Sequence, residues 1–145
     1  MSEVKPMDRR WSTSPGSVYN LGYHLIWCPK YRRKVLTGST ASDLKGYIYE
    51  KCEENGWEIC SLEVMPDHVH LFLKCKPTDS VAYIMAQLKG YTSRKLNVFH
   101  PELKSRLPNV WTRSYYAESV GAINETAVKA YIENQKWKKP NSSHS

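Results

Sequence analysis

The sequence predicts an α+β fold in which an antiparallel sheet is backed by helices, in the order strand, helix, strand, strand, helix, strand, with one more helix after them. Three observations predict it. Residues 19–28 alternate Tyr19, Leu21, Tyr23, Leu25 and Trp27 with Asn20, Gly22, His24, Ile26 and Cys28, the period-two pattern of a strand with one strongly aromatic face. Residues 41–55 and 81–92 place apolar side chains three or four positions apart, which makes a buried helical stripe. The apolar runs 57–65 and 68–75 meet at Met65-Pro66-Asp67, a tight joint that predicts a hairpin.

The elements follow in order. Residues 1–18 mix charge with Ser, Pro and Gly, bury too little apolar surface to fold alone, and read as a flexible arm. The first strand starts at Tyr19, and Pro29 ends its regular pairing. In the first helix, 41–55, Leu44, Ile48 and Cys52 share a face and Gly56 supplies the stop. After the hairpin, Asp79 or Ser80 caps a long helix whose stripe is Val81, Ile84, Met85, Leu88 and Tyr91 or Thr92. Lys89, Arg94 and Lys95 are left for its other faces, and Gly90 in its middle predicts close packing or a bend. A short helical turn covers 101–106, a fourth strand rich in Trp, Tyr and Thr runs over Val110–Ser119, and a last helix spans 124–138 before a disordered tail at 140–145. This order is that of the ferredoxin-like, RRM-like βαββαβ fold, here one domain over 19–139 with a C-terminal helix added. The fold hosts many functions and names none.

At 145 residues and 41% hydrophobic content the chain suits one domain with a real core. No run approaches the roughly 18 apolar residues of a membrane span, and Met1–Arg10 is polar rather than signal-like, so a cytoplasmic protein is expected. Cys28, Cys52, Cys60 and Cys75 form no Cys-x-x-Cys pair, and three of them fall in apolar runs, so they are expected to be reduced core residues rather than zinc ligands. The net charge of +7 favours a polyanionic partner, because Lys and Arg release counterions when they neutralise phosphates.

Met65-Pro-Asp-His-Val-His-Leu-Phe-Leu73 is the most informative segment. Residues two apart on a strand point the same way, so His68 and His70 share a face while Val69, Leu71 and Leu73 turn to the core. Two imidazoles side by side suit one divalent cation. A pair of partly exposed surface histidines, or a structural zinc site completed by cysteine, would give the same triplet; Cys75 lies on the Val69 face, which speaks against the second. In the last helix Ala127, Tyr131 and Gln135 recur every four residues and line one stripe. A helical tyrosine can simply pack in a core, but an amide oxygen can serve a hard cation and a core stripe has little use for one.

Together these segments resemble a family. Tyr23-His-Leu-Ile-Trp-Cys-Pro-Lys-Tyr-Arg32, Glu63-Val-Met-Pro-Asp-His-Val-His-Leu71, Leu88-Lys-Gly90 and Tyr131-Ile-Glu-Asn-Gln135 are similar to motifs of the HUH-type single-tyrosine transposases of bacterial and archaeal insertion sequences, the IS200-like transposase A family. The resemblance implies that His68 and His70 ligate a metal, Mg2+ or Mn2+, that Gln135 is a third ligand, and that Tyr131 is the nucleophile. It further implies cleavage and rejoining of single-stranded DNA with hairpin ends through a 5′-phosphotyrosine, by a homodimer whose active sites can combine histidines of one subunit with the tyrosine helix of the other. Lys30, Tyr31, Arg32, Arg33 and Lys34 interleave basic and aromatic groups as a single-strand contact would, and with Lys89, Arg94 and Lys95 they are the candidates for DNA binding. Two alternatives share much of this pattern: a domesticated REP-associated relative, and a noncatalytic RRM-like module that binds RNA.

Overall fold

The computed structural model describes residues 12–14, 17–19, 21–119 and 125–135. Its centre is a four-stranded antiparallel sheet of β3 (Leu21–Trp27), β4 (Glu58–Met65), β5 (His68–Cys75) and β6 (Tyr116–Ser119) in the spatial order β4-β5-β3-β6. With helices α1 (Gly38–Asn55) and α2 (Val81–Phe99) between strands, this is the expected ferredoxin-like order. Helix α3 (Glu125–Asn134) follows.

Ahead of the sheet, β1 (Ser12–Ser14) pairs antiparallel with β2 (Ser17–Tyr19). Part of the expected arm is therefore two short paired strands; residues 1–11, 15 and 16 of that arm lie outside the described residues, as do the tail at 140–145 and both ends, 124 and 136–138, of the helix expected over 124–138.

Alternation decides which side of the sheet is core. Leu25 and Trp27 of β3, Leu62 of β4, and Val69, Leu71, Leu73 and Cys75 of β5 are buried together under α1 and α2, which supply Leu44, Ile48, Cys52, Ile84, Met85, Leu88 and Leu96. Gly56 ends α1 in the left-handed region (φ 72°), where glycine costs least. Ser80 is the N-cap of α2, its side chain accepting from the Tyr83 amide at 3.1 Å. Of the two residues that could close the stripe of α2, Thr92 is the fully buried one; its hydroxyl donates to Leu88 O at 2.7 Å and accepts from Trp111 Nε1 at 3.0 Å. His100, at the end of α2, contacts Asp43 (2.7 Å) and Thr40 (3.2 Å) at the start of α1, tying the two helices together.

Two expectations fail. The close packing expected at Gly90 is not found: among the described residues a Cβ there would meet only the end of the Arg94 side chain at 3.4 Å. The fourth strand does not run from Val110: Trp111 makes one isolated bridge to Pro29, and ladder pairing begins only at Tyr116. The ammonium of Lys89 explains the gap, for it takes Thr112 O (2.6 Å), Arg113 O (3.0 Å) and Ser114 O (3.2 Å), carbonyls that a ladder would otherwise use. Pro29, with no N–H, could not extend the pairing on the facing strand.

Candidate active site

The face of the sheet opposite α1 and α2 carries His68, His70 and Phe72 of β5, with His24 and Ile26 of β3 and Tyr116 and Glu118 of β6 in register beside them. The period of two in β5 delivers both histidines to this face, as expected. Each has a partner that sets its orientation. His68 Nδ1 lies 2.9 Å from Asp67 Oδ1 in the turn just before it, and His70 Nε2 lies 3.1 Å from His24 Nδ1. His24 in turn stacks on Phe72 with ring centroids 4.3 Å apart.

Two imidazoles so held offer a divalent cation two ligands, although among the described residues no group of three His, Cys, Asp or Glu side chains gathers there. A carboxylate beside Nδ1 keeps the proton there and leaves the lone pair of His68 Nε2 outward, the arrangement that metal-binding histidines commonly show. Burial lowers the pKa of His70 and the neighbouring His24 lowers it further; Glu63 opposes this, and His68 adds the smallest contribution, downward. Neutral imidazole is the form that ligates. Among the described residues His24 Nε2 is buried with no hydrogen-bond partner, so this corner holds unspent polar capacity. Asp67 is itself shifted: burial would raise its pKa, but hydrogen bonds from His68 and Arg32 and their charges outweigh it and hold the carboxyl below its ordinary range.

Tyr131 of α3 and Gln135, the turn residue just past its end, come to one place, and Ser114 joins them. Its hydroxyl donates to Gln135 Oε1 at 3.0 Å and lies 3.4 Å from the Tyr131 hydroxyl. The Tyr131 ring sits 5.8 Å from that of Tyr116 on the outer strand β6. Tyr116 faces Ile26, which faces His70, so about 10 Å of sheet, two strand spacings, separates Tyr116 from His70. Among the described residues no hydrogen bond joins either histidine to Tyr131 or Gln135. Burial pushes the Tyr131 phenol well above its ordinary pKa; the Ser114 contact works the other way, and nearby Cys28 adds to the rise. In this seat the phenol keeps its proton.

The two half-sites are linked by Arg32. Its guanidinium reaches Asp67 Oδ2 at 2.5 Å, and Ile132 O and Glu133 Oε2 of α3 both at 3.0 Å. Arg32 is thus turned inward rather than presented to DNA, its side chain only 13% exposed. Lys89 is the second basic candidate that points inward, its three carbonyl acceptors matching its three N–H donors; burial pulls its pKa down to about 8, an effect that those carbonyls, by favouring the charged form, oppose. Arg33, Lys34 and Arg94 are exposed. The Lys30 ammonium stands 5.4 Å from the Tyr31 ring, and that of Lys95 lies 5.5 Å from the ring of Tyr91 and 5.7 Å from that of Phe99, beside the exposed Val98. All four cysteines are buried, as expected of core residues.

His24, Asp67 and Ser114 did not emerge from the sequence as site residues. Asp67 had a local signal, since it directly precedes His68 and ends the turn. His24 and Ser114 had none, because their partners are 46 and 21 residues away and only the strand register and the loop bring them close.

Comparison with known proteins identifies the family. A family model described as "Transposase IS200 like" matches residues 17–135. The ISDra2 transposase TnpA of Deinococcus radiodurans is 42% identical over 122 residues, covering 83% of this chain and 87% of that one. The transposase for insertion sequence element IS200 of Salmonella typhimurium is 33% identical over 119 residues, 81% of this chain and 78% of the other. Among solved structures, a Deinococcus radiodurans R1 protein described as a transposase superposes with a TM-score of 0.81 at 38% identity, over 86% of this chain and 98% of that one. A REP-associated tyrosine transposase bound to a REP hairpin has a TM-score of 0.53 at 14% identity, over 90% and 70%, a likeness of fold.

Proposed function

This chain belongs to the IS200-like transposase family and is a transposase, and from that premise we propose that it cuts and rejoins single-stranded DNA through Tyr131, with His68, His70 and Gln135 as ligands of Mg2+ or Mn2+. The observation that carries this reading is the His68–Asp67–Arg32 chain of contacts, which runs from the histidine face of β5 to the helix holding Tyr131 and Gln135. Family membership supports it over a domesticated relative and over a noncatalytic RNA-binding module.

A bound cation would act as a Lewis acid on the scissile phosphate, offsetting the charge that repels a nucleophile. His68 would hold it through Nε2, with Nδ1 fixed by Asp67, and His70 through the nitrogen that now faces His24. Tyr131 Oη attacks phosphorus, the bond to the leaving 3′ oxygen breaks, and that oxygen takes up a proton. A 5′-phosphotyrosine and a 3′ hydroxyl result, and attack by another 3′ hydroxyl reverses the step without a nucleotide cofactor. The phenol must first lose its proton, which its present buried seat resists. The Ser114 seat is therefore a resting position in this reading, and the helix moves toward histidines of the same chain or of a partner in a homodimer.

Single-stranded ends with hairpins are the proposed substrate, met by a cytoplasmic enzyme. Exposed Arg33, Lys34 and Arg94, together with Lys30, Tyr31 and Lys95, offer the mixture of charge and aromatic surface that such DNA needs. The fold-sharing REP-associated protein is itself bound to a hairpin.

The test is a covalent adduct. With single-stranded element ends and Mg2+ or Mn2+, the protein should form one that Tyr131→Phe abolishes and that chelation prevents; its absence sinks the reading. Mixing Tyr131→Phe with a His68→Ala, His70→Ala double variant should restore the adduct if sites are composed across subunits, and leave it absent if they are not.

A further inference from the structure

We propose that Arg32 is a positioning residue that couples the tautomer of His68 to the seating of the tyrosine helix. The inference deepens the reading above, since it takes His68 as a metal ligand and α3 as the carrier of the nucleophile.

The Asp67 carboxylate is divided between two partners, Oδ1 contacting His68 Nδ1 at 2.9 Å and Oδ2 accepting from Arg32 Nε at 2.5 Å. A carboxylate held at both oxygens cannot swing away, so the proton of His68 stays on Nδ1 and the Nε2 lone pair stays outward. The Nη1 edge of the same guanidinium donates to Ile132 O and Glu133 Oε2, both at 3.0 Å, the two residues directly after Tyr131. Ile132 O is among the last carbonyls of α3, where a cation also complements the helix dipole. Only a planar fork of several donors can hold a carboxylate on one side and a helix end on the other; a lysine ammonium cannot match both.

The backbone shows that this aim is imposed. Tyr31 and Arg32 have φ of 60° and 52°, the left-handed region that non-glycine residues adopt at a cost of about 1 kcal/mol or more each. The turn is fixed by Lys30 N donating to Val110 O at 2.9 Å and Arg32 N to Pro29 O at 2.8 Å.

The experiment uses the full chain as wild type, Arg32→Gln, Arg32→Lys, Asp67→Asn and His68→Ala. Side-chain nitrogen NMR without metal reads the His68 tautomer, hydrogen exchange reads protection of 125–135, and Mn2+ titration by electron paramagnetic resonance reads affinity. We expect wild-type His68 to be a single Nδ1–H tautomer, and Arg32→Gln to mix the tautomers, to lower α3 protection, and to weaken Mn2+ binding by about 10-fold, the lower end for residues behind a ligand. Arg32→Lys, which keeps charge and size, should resemble Arg32→Gln, and it carries the test should Arg32→Gln not fold. Asp67→Asn should disturb His68 and, because Arg32 loses one of its anchors, lower α3 protection, though less than Arg32→Gln does. A wild-type tautomer together with wild-type α3 protection in both Arg32 variants overturns the proposal. Mn2+ binding equal in wild type and His68→Ala would instead overturn the metal reading, and the tautomer and exchange results would still decide the role of Arg32.

Discussion

Asp67 is a surface-turn residue by position and a buried ion-pair partner by environment. Its carboxyl is held below the ordinary value because hydrogen bonds and charges from His68 and Arg32 outweigh the cost of burial. A depressed folded value means that the stabilisation is fully present above the unfolded pKa, about 4, and is lost as pH falls through the lower folded value. Urea unfolding measured across this acid range should therefore show wild type losing stability more steeply than Asp67→Asn, which has no proton to take up; parallel curves would deny the linkage. The same residue could be suspected from Pro66-Asp67-His68, since a carboxylate next to a strand histidine can reach its ring. Its second partner, 35 positions earlier, could not.

At the scale of elements, the strands and helices with a strong period of their own form where the sequence puts them. The hairpin at Pro66-Asp67, the stripe of α2 and the stop at Gly56 need no distant partner to be recognised. The segment 110–115 behaves otherwise because Lys89 takes its carbonyls, and no local pattern distinguishes a β-rich residue that pairs from one that does not. Thr92 ties that segment to α2, its hydroxyl lying between Leu88 O and the Trp111 indole. Thr92→Val keeps the shape and leaves the indole N–H buried without its acceptor, which should cost about 1–3 kcal/mol in chemical denaturation. A change under a few tenths would mean that Trp111 finds another acceptor. The described residues of α3 number ten, too few for stability on their own. The helix is held by Arg32 and Ser114, contacts that suit an element that moves in the proposed reaction.

For the molecule as a whole, the surplus of seven positive charges acts only where it is free to meet phosphate. Arg32 and Lys89 are engaged within the protein, whereas Arg33 and Lys34 are exposed beside the turn. Replacing Arg33 and Lys34 by alanine should weaken single-stranded DNA binding and reduce the slope of log K against log salt by about 0.7 for each lost phosphate contact. Fluorescence anisotropy at several salt concentrations measures this, and an unchanged slope would remove these two residues from the interface.

The sequence by itself determined the βαββαβ order, the common face of His68 and His70, the pairing of Tyr131 with Gln135 on one helical stripe, and the family. All of these follow from local period or from short motifs, which are properties of neighbouring residues. The tertiary structure alone decided that His24 stands against His70, that Ser114 holds the tyrosine and the amide, and that Arg32 and Lys89 turn inward. Those outcomes depend on strand register and on chain segments far apart in sequence, and a side chain has no partner to choose until folding brings one within reach.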